Sequence, residues 1–327
     1  ELMDGAVLYL RIYCLGMPAL AVYNFGNAVF SAVGDTRRPL YYLSIAGVIN
    51  VVLNLFFVIV CNMDVAGVAV ASIISQYFSA ILVTAALLRS RESYCLRFSQ
   101  LRFHKTRTKA ILSIGIPSGL QNAIFALANL FIQRGVNTFS ATMVAGNSAA
   151  TNADALVYDV MQAFYTACGS FIGQNYGAGQ IKRCKKTMQL SFLEGAIATF
   201  VSVVVLLLSA RSLLAIFNSD PEVIAIGYIR LATILPAYVF CLIYEILSGY
   251  LRGFGISLVP ALLTMLGVCG IRIAWVKFVF PTSMTFQTVM WVYPISLGAT
   301  AMLILCAVLI YRPSRRFAGL ETEEEDK

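Results

Sequence analysis

Long runs of apolar residues recur along this chain of 327 residues and limit its fold more than any other feature. Residues 201–208 read VSVVVLLL, which is almost uninterrupted. Hydrophobic residues make up 59% of the chain and charged residues 12%, whereas soluble domains carry about 25% charged residues. Inside a bilayer such runs form helices, because a helix bonds its own backbone polar groups. The sequence therefore predicts an all-α integral membrane protein.

Nine runs have about the twenty residues that a helix needs to cross a bilayer. They are residues 10–33, 40–61, 65–88, 111–136, 146–172, 191–210, 223–251, 257–280 and 285–311. Basic residues concentrate in alternate loops, with seven of them between Arg89 and Lys109, and the other loops hold only Arg211. The positive-inside rule then places the C-terminus in the cytoplasm and residue 1 outside. The net charge of +8 is thereby explained without a nucleic-acid partner.

Two stretches, residues 9–39 and 228–260, match as copies of an internal repeat. Both begin with an aromatic residue two positions before an arginine, contain an early proline, and end in Gly-x-x-x-x-Pro. The equivalent positions lie about 220 residues apart. We call these Gly-x-x-x-x-Pro ends the exits of the copies; they contain Gly34 with Pro39 and Gly255 with Pro260. We expect them to cap helices at the cytoplasmic side and to act as hinges.

The repeat period predicts how the chain is organised. The second unit begins near residue 111, so the first would begin about 110 residues before Glu1. We therefore expect two units of six helices, twelve in all, with nine visible here and both units pointing the same way. The predicted regions are 1–88, the second half of the first lobe; 89–109, a basic cytoplasmic linker; 110–312, the second lobe; and 313–327, an acidic cytoplasmic tail.

Reactive side chains give no pattern that is typical of an enzyme or a metalloprotein. The eight cysteines form no CxxC pair, and His104 is the one histidine. No HExxH motif or pair of aspartates lies in a span. We therefore predict no catalytic residue, no cofactor and no metal site beyond a possible Na⁺ ion.

Polar residues inside three predicted spans repeat at helical spacing. A charge at the bilayer centre costs about 2.5–3.5 kcal/mol, so such groups need a reason to be there. We expect the three stripes to face one wet cavity. The stripes are Asn122, Asn129 and Gln133 with Gln121 beside them; Asn147, Thr151, Asp154, Tyr158 and Gln162; and Tyr238, Cys241, Glu245, Ser248 and Arg252.

Several structural alternatives stay open at this point. Asn50 and Asn54 lie four residues apart in a span without an acid, where amides often join helices. Asp154 and Glu245 are also candidates for buried salt bridges with Arg134, Arg230 or Arg272. The linker 89–109 is either solvated or a surface helix with Tyr94, Phe98 and Leu101 on one face.

Four segments of the chain carry distinctive motifs. They are residues 34–60, GDTRRPLYYLSIAGVINVVLNLFFVIV; 114–137, IGIPSGLQNAIFALANLFIQRGVN; 146–183, GNSAATNADALVYDVMQAFYTACGSFIGQNYGAGQIKR; and 245–275, EILSGYLRGFGISLVPALLTMLGVCGIRIAW. In sequence and in order, these motifs resemble those of multidrug and toxic compound extrusion (MATE) transporters, especially the bacterial type. The similarity covers the chain except for its acidic tail.

This resemblance implies a two-lobed secondary antiporter in the inner (plasma) membrane, acting as a monomer. It would export amphipathic, often cationic compounds in exchange for Na⁺ or H⁺, and the visible helices would be four to twelve. Asp154 and Glu245 match the family's acidic positions in helices eight and ten. The family's helix-seven glutamate is replaced by Phe125. The alternative function is a flippase for lipid-linked oligosaccharides from the same superfamily.

The expected substrate cavity combines this resemblance with the polar stripes. Its predicted residues are Gln121, Asn122, Asn129, Gln133, Tyr158, Tyr238 and Arg272. The partners are then small amphipathic molecules and the lipid bilayer.

Overall fold

A computed structural model describes residues 2–317, and these residues form helices joined by loops. They fall into two compact units, Glu1–Phe103 and His104–Lys327. The predicted acidic tail lies largely outside the described residues. The predicted division at 88, 109 and 312 stays a prediction, since compactness does not reveal repeat boundaries.

The first unit contains four helices. They are α1 (Leu2–Cys14), α2 (Met17–Ala32), α3 (Arg37–Val60) and α4 (Asp64–Arg89). A 49° bend separates α1 from α2, next to the early proline Pro18. Ala19, Tyr23 and Phe30 of α2 pack on α4. In α3, the Asn50 amide donates to Ser75 Oγ of α4 (3.3 Å), so this amide does join two helices.

The segment that follows α4 is not a helix. Residues 90–104 contain only a short 3₁₀ turn, Phe98–Gln100. Tyr94 packs edge-on against Phe30 of the first unit, while Phe98 and Leu101 are exposed. The alternative of a surface helix with Tyr94, Phe98 and Leu101 on one face is therefore wrong, because Tyr94 packs against Phe30 whereas Phe98 and Leu101 are exposed.

The second unit contains seven helices, of which six are long. They are α5 (Lys105–Val136), α6 (Ala141–Gly177), α7 (Ile181–Phe217), α8 (Pro221–Gly253), α9 (Leu258–Thr282), α10 (Phe286–Tyr311) and the short α11 (Pro313–Arg316). Pro236 interrupts α8 with a 3₁₀ turn, Leu235–Ala237, because proline has no N–H for the helix ladder. Two π-helical segments, Met265–Gly270 and Trp275–Val279, lie within α9.

The described helices agree with a multi-pass membrane protein. Within residues 2–317, seven are long and apolar enough to span a bilayer, and the bent pair α1 and α2 would be an eighth. The remaining predicted span, residues 146–172, lies in α6, which has 37 residues but carries a polar stripe and falls outside that apolar set. Helix α6 thus has the length of a span without its uniform hydrophobicity, which indicates a protein-lined environment.

Both predicted exits have the same capping geometry. Gly34 (φ +85°) and Gly255 (φ +79°) occupy the left-handed region that glycine adopts without strain. Asp35 N donates to Phe30 O (2.9 Å), and Ile256 N donates to Leu251 O (3.0 Å), as in Schellman caps. Both helices therefore end in glycine caps of the same geometry, whereas the cytoplasmic side and the hinge role predicted for these sites stay predictions.

Candidate functional site

Helices α6 and α8 approach each other closely, and glycines permit this. A Cβ atom on Gly146 would lie 2.8 Å from the carbonyl oxygen of Val223. Near the other end of the contact, a Cβ atom on Gly249 would lie 3.0 Å from the carbonyl oxygen of Tyr165. Small residues at such crossings let polar side chains of two spans meet.

A cavity of about 290 Å³ lies in the second unit among α5, α6, α8, α9 and α10. It is lined by apolar and aromatic side chains together with a few charged and amide groups. The lining residues are Phe125, Asn129, Ile132, Gln133, Asn147, Thr151, Asp154, Ala155, Tyr158, Arg230, Ile234, Tyr238, Cys241, Tyr244, Arg272, Tyr293 and Leu297. A mostly apolar wall with a few polar groups is typical of a small-molecule site.

Arg230 joins α8 to α6 through a buried ion pair. Its Nη2 lies 2.8 Å from Asp154 Oδ2, and its Nη1 donates to Asn147 Oδ1 at 2.8 Å. Both charged residues are almost fully buried. The Asn147 amide donates in turn to Gln133 Oε1 (3.5 Å) and so reaches α5. Of the three arginines considered from the sequence, Arg230 is the one that pairs with Asp154.

Arg272 of α9 enters the cavity from another side. Its Nη1 donates to Asn129 Oδ1 of α5 (2.8 Å), and its Nε donates to Ser296 Oγ of α10 (3.4 Å). The guanidinium carbon lies 4.6 Å from the ring centre of Tyr293 and 5.2 Å from that of Phe125. These cation–π contacts and hydrogen bonds hold the arginine in one place.

Glu245 belongs to a second polar group beside the cavity. The Tyr158 hydroxyl lines the cavity and donates to Glu245 Oε1 (3.2 Å), and Gln162 donates to that hydroxyl (3.3 Å). Further along α8, Arg252 donates to Gln121 Oε1 of α5 (2.5 Å) and to the Tyr165 hydroxyl. Tyr158 therefore links the cavity to an acid that is not one of the lining side chains.

The predicted site residues fall into two sets. Asn129, Gln133, Asp154, Tyr158, Tyr238 and Arg272 line the cavity. Gln121 is instead held by Arg252, Asn122 is exposed, and Glu245 lies behind Tyr158. The expected wall is thus met in part, because α5 directs only its later amides, Asn129 and Gln133, into this space. The functional roles assigned to these residues remain predictions.

Sequence reasoning missed Tyr293, whose ring lies near two arginines. Its ring centre is 5.3 Å from the Arg230 guanidinium carbon and 4.6 Å from that of Arg272. Tyr293 directly precedes Pro294 inside α10. A tyrosine beside a proline within an apolar span is a signal that could have found it. Tyr165 was also missed, although it lies three residues after Gln162 and so continues the polar stripe of α6.

Comparison with known proteins decides the family. The MatE family profile matches residues 1–56 and 117–276, which is more than half of the chain. The chain belongs to the MatE family. This is a family of membrane transporters, and the resemblance inferred from the motifs is confirmed.

Individual relatives support the same fold. The chain is 28% identical over 319 residues to the probable multidrug resistance protein YpnP of Bacillus subtilis, covering 97% of this chain and 69% of the relative. It is 26% identical over 224 residues to an FAD transporter of Shewanella oneidensis, covering 66% of this chain and 49% of the relative. A crystal structure of MATE in complex with MaL6 superimposes with a TM-score of 0.86 at 19% identity, covering 98% of this chain and 72% of the other. The chain thus has the MATE transporter fold, and it spans 69% of the Bacillus subtilis relative and 49% of the Shewanella oneidensis relative.

Proposed function

We propose that this MatE protein is a secondary antiporter that exports small amphipathic compounds in exchange for Na⁺ or H⁺. The observation that carries the proposal is the cavity of about 290 Å³, which places charged groups inside a unit of membrane-spanning helices. Ionisable groups at such depth mark substrate or ion pathways in membrane proteins. The names of the two relatives, one for multidrug resistance and one for FAD transport, support small-molecule transport. We expect a monomer in the plasma membrane with a cytoplasmic C-terminus.

Glu245 is our leading candidate for the coupling acid. Its carboxylate accepts a hydrogen bond from Tyr158, whose hydroxyl lines the cavity, so a change in the charge of Glu245 would be sensed there. Asp154 is already paired with Arg230 at 2.8 Å. A coupling ion at Asp154 must therefore compete with the Arg230 guanidinium, whereas Glu245 has no such ion pair among the described residues.

Substrate export is coupled to the ion if the protein switches between its inward-facing and outward-facing conformations only in certain charge states. A ligand shifts a conformational equilibrium only by its difference in affinity for the two states. Binding of H⁺ or Na⁺ at Glu245 would favour one of these conformations, and binding of substrate in the cavity would favour the other. Each charge moved across the membrane is worth about 2.3 kcal/mol per 100 mV, which is sufficient to drive export against a gradient. The glycine caps at Gly34 and Gly255 are the proposed hinges.

Transport by the purified full-length protein in proteoliposomes, with Na⁺ and H⁺ gradients imposed separately, tests this proposal. We expect Glu245→Gln to reduce ion-driven dye transport by more than tenfold, and Asp154→Asn also to reduce it. Asp159→Asn is the matched control, because Asp159 lies on the same helix as Asp154 but is exposed. Unchanged transport by both Glu245→Gln and Asp154→Asn would exclude these acids from coupling.

The second candidate remains a flippase for lipid-linked oligosaccharides, which the two cavity arginines, Arg230 and Arg272, favour. A pyrophosphate lipid would need a larger groove, and the observed volume of about 290 Å³ lies just below the range of roughly 300–1,000 Å³ for drug-sized ligands. The size of the cavity therefore favours the antiporter. Transfer of a fluorescent pyrophosphate lipid between leaflets, without any ion gradient, would favour the flippase instead.

A further inference from the structure

The charges on the wall of the cavity do not balance, because Glu245 lies behind Tyr158 and no carboxylate of the wall pairs with Arg272. The cavity wall carries one acid, Asp154, and two arginines, Arg230 and Arg272. Asp154 forms its ion pair with Arg230. Among the described residues, no carboxylate lies within salt-bridge distance of Arg272, although only 3% of its surface is exposed. The wall therefore keeps one buried positive charge without a counter-ion.

The contacts of Arg272 orient it without neutralising it. Asn129 and Ser296 accept hydrogen bonds through neutral oxygen atoms, and Tyr293 and Phe125 present aromatic rings. The remaining terminal nitrogen of Arg272, Nη2, makes no hydrogen bond to another residue in the described part of the chain. Burying a charge is costly unless an opposite charge compensates it. A fixed, desolvated guanidinium is suited to bind a carboxylate, sulfonate or phosphate group.

We propose that this cavity selects small organic monoanions with an aromatic or apolar body, and that Arg272 binds their anionic group. The apolar part of the wall, including Tyr158, Tyr238 and Ile132, would accept the body of the molecule. A monocation of the same shape would meet a second positive charge, which opposes binding. The cavity thus favours anions over the cations that the family resemblance implies. The proposal rests on the proposed function only in taking this cavity as the substrate site.

Equilibrium binding of two probes with the same ring tests this selection. The probes are 2-naphthoate, an anion, and 2-naphthylmethylammonium, a cation, titrated calorimetrically into the purified protein in detergent at neutral pH. We expect 2-naphthoate to bind more tightly. Arg272→Gln should weaken the binding of 2-naphthoate by about tenfold or more, since a charge-assisted hydrogen bond is lost. The same variant should bind the cation as tightly as before or more tightly. Arg272→Lys should keep part of the preference for the anion.

Lys277→Gln is the matched control. Lys277 lies on the same helix as Arg272, and its substitution by glutamine removes the same charge. Unlike Arg272, Lys277 is exposed, and it contacts the Phe278 ring. We expect this variant to bind both probes like the unmodified protein. Size-exclusion elution and melting temperature establish that each variant is folded.

Several outcomes separate this inference from the proposed function. Tighter binding of the cation by the unmodified protein, or equal loss of 2-naphthoate binding in Arg272→Gln and Lys277→Gln, would overturn the inference. If Arg272→Gln does not fold, Arg272→Lys decides, since its unchanged affinity and selectivity would count against a guanidinium site. Anion binding that depends on Arg272 in a protein without ion-driven transport would support the inference and contradict the antiporter.

Discussion

The two copies of the repeat share a scaffold and differ in charge. In the first copy, α1 and α2 meet at a bend beside Pro18, and α2 ends in a glycine cap. In the second, α8 is interrupted at Pro236 and ends in the same cap. Arg11 of the first copy is exposed, whereas the equivalent Arg230 is 4% exposed and paired with Asp154. The shared features set the path of the chain, and the second copy alone adds buried ionic groups.

The largest expected effect comes from the two equivalent arginines. Arg230→Gln leaves Asp154 buried without its partner, and we expect it to lower the free energy of unfolding by about 3–5 kcal/mol. Arg11→Gln should stay within about 0.5 kcal/mol, because Arg11 is exposed. Equilibrium unfolding in mixed micelles measures both values. The double variant Asp154→Asn with Arg230→Gln should lose less than the sum of its single variants. Equal losses at Arg11 and Arg230 would contradict the contrast between the copies.

The next effect compares a glycine at a tight helix crossing in the second copy, Gly249, with a glycine in a looser place in α1, just before the first copy. Gly249→Ala places a Cβ atom 3.0 Å from the Tyr165 carbonyl oxygen, so α6 and α8 must separate slightly, at a cost of about 1–3 kcal/mol. Gly5→Ala in α1 meets only Val65 Cγ2 at 3.8 Å, an ordinary contact. In a helix that change is neutral or stabilising by up to about 1 kcal/mol. Equilibrium unfolding of the two variants under the same conditions gives the comparison. An unchanged free energy of unfolding in Gly249→Ala would show that the crossing of α6 and α8 accommodates an added methyl group.

The two caps should respond alike, since their geometry is the same. A Cβ atom at Gly34 or Gly255 meets no atom within 4 Å, so an alanine there suffers only backbone strain. We expect Gly34→Ala and Gly255→Ala each to cost about 1 kcal/mol, because a left-handed φ is unfavourable for any residue with a Cβ. Gly115→Ala, also in open space but within helix α5, is the control. A much larger loss at only one cap would mean that the scaffolds differ after all.

The sequence could predict the scaffold because its signals are local. Apolar length predicts spans, and the Gly-x-x-x-x-Pro exits predict caps, since each depends on residues near one another in the chain. The spacing of Asp154, Tyr158 and Gln162 likewise predicted one polar face of α6. Which side chains meet across helices is a tertiary question, and the pairing of Asp154 with Arg230 was only one of several possibilities before the structure.

Where the sequence misled, a neighbouring group supplied the reason. Gln121 shares the helix of Asn129, yet Arg252 of α8 holds it away from the cavity. Helical spacing alone shows which face a residue occupies and not which partner captures it. Tyr293 was missed for the converse reason, since its importance arises from two arginines on other helices.

The smallest expected effect comes from Asn27, which lies roughly where Glu245 falls in the second copy. Asn27 is half-buried and accepts a hydrogen bond of 3.3 Å from the Ser31 hydroxyl of its own helix. We expect Asn27→Ala to change the free energy of unfolding by no more than about 0.5 kcal/mol and to leave ion-driven transport intact, because a neutral amide has no charge to exchange. Glu245→Gln, assayed in the same proteoliposomes, supplies the opposite case. A transport loss in Asn27→Ala as large as that in Glu245→Gln would place coupling chemistry in both copies, and the asymmetry of charge would then no longer separate scaffold from site.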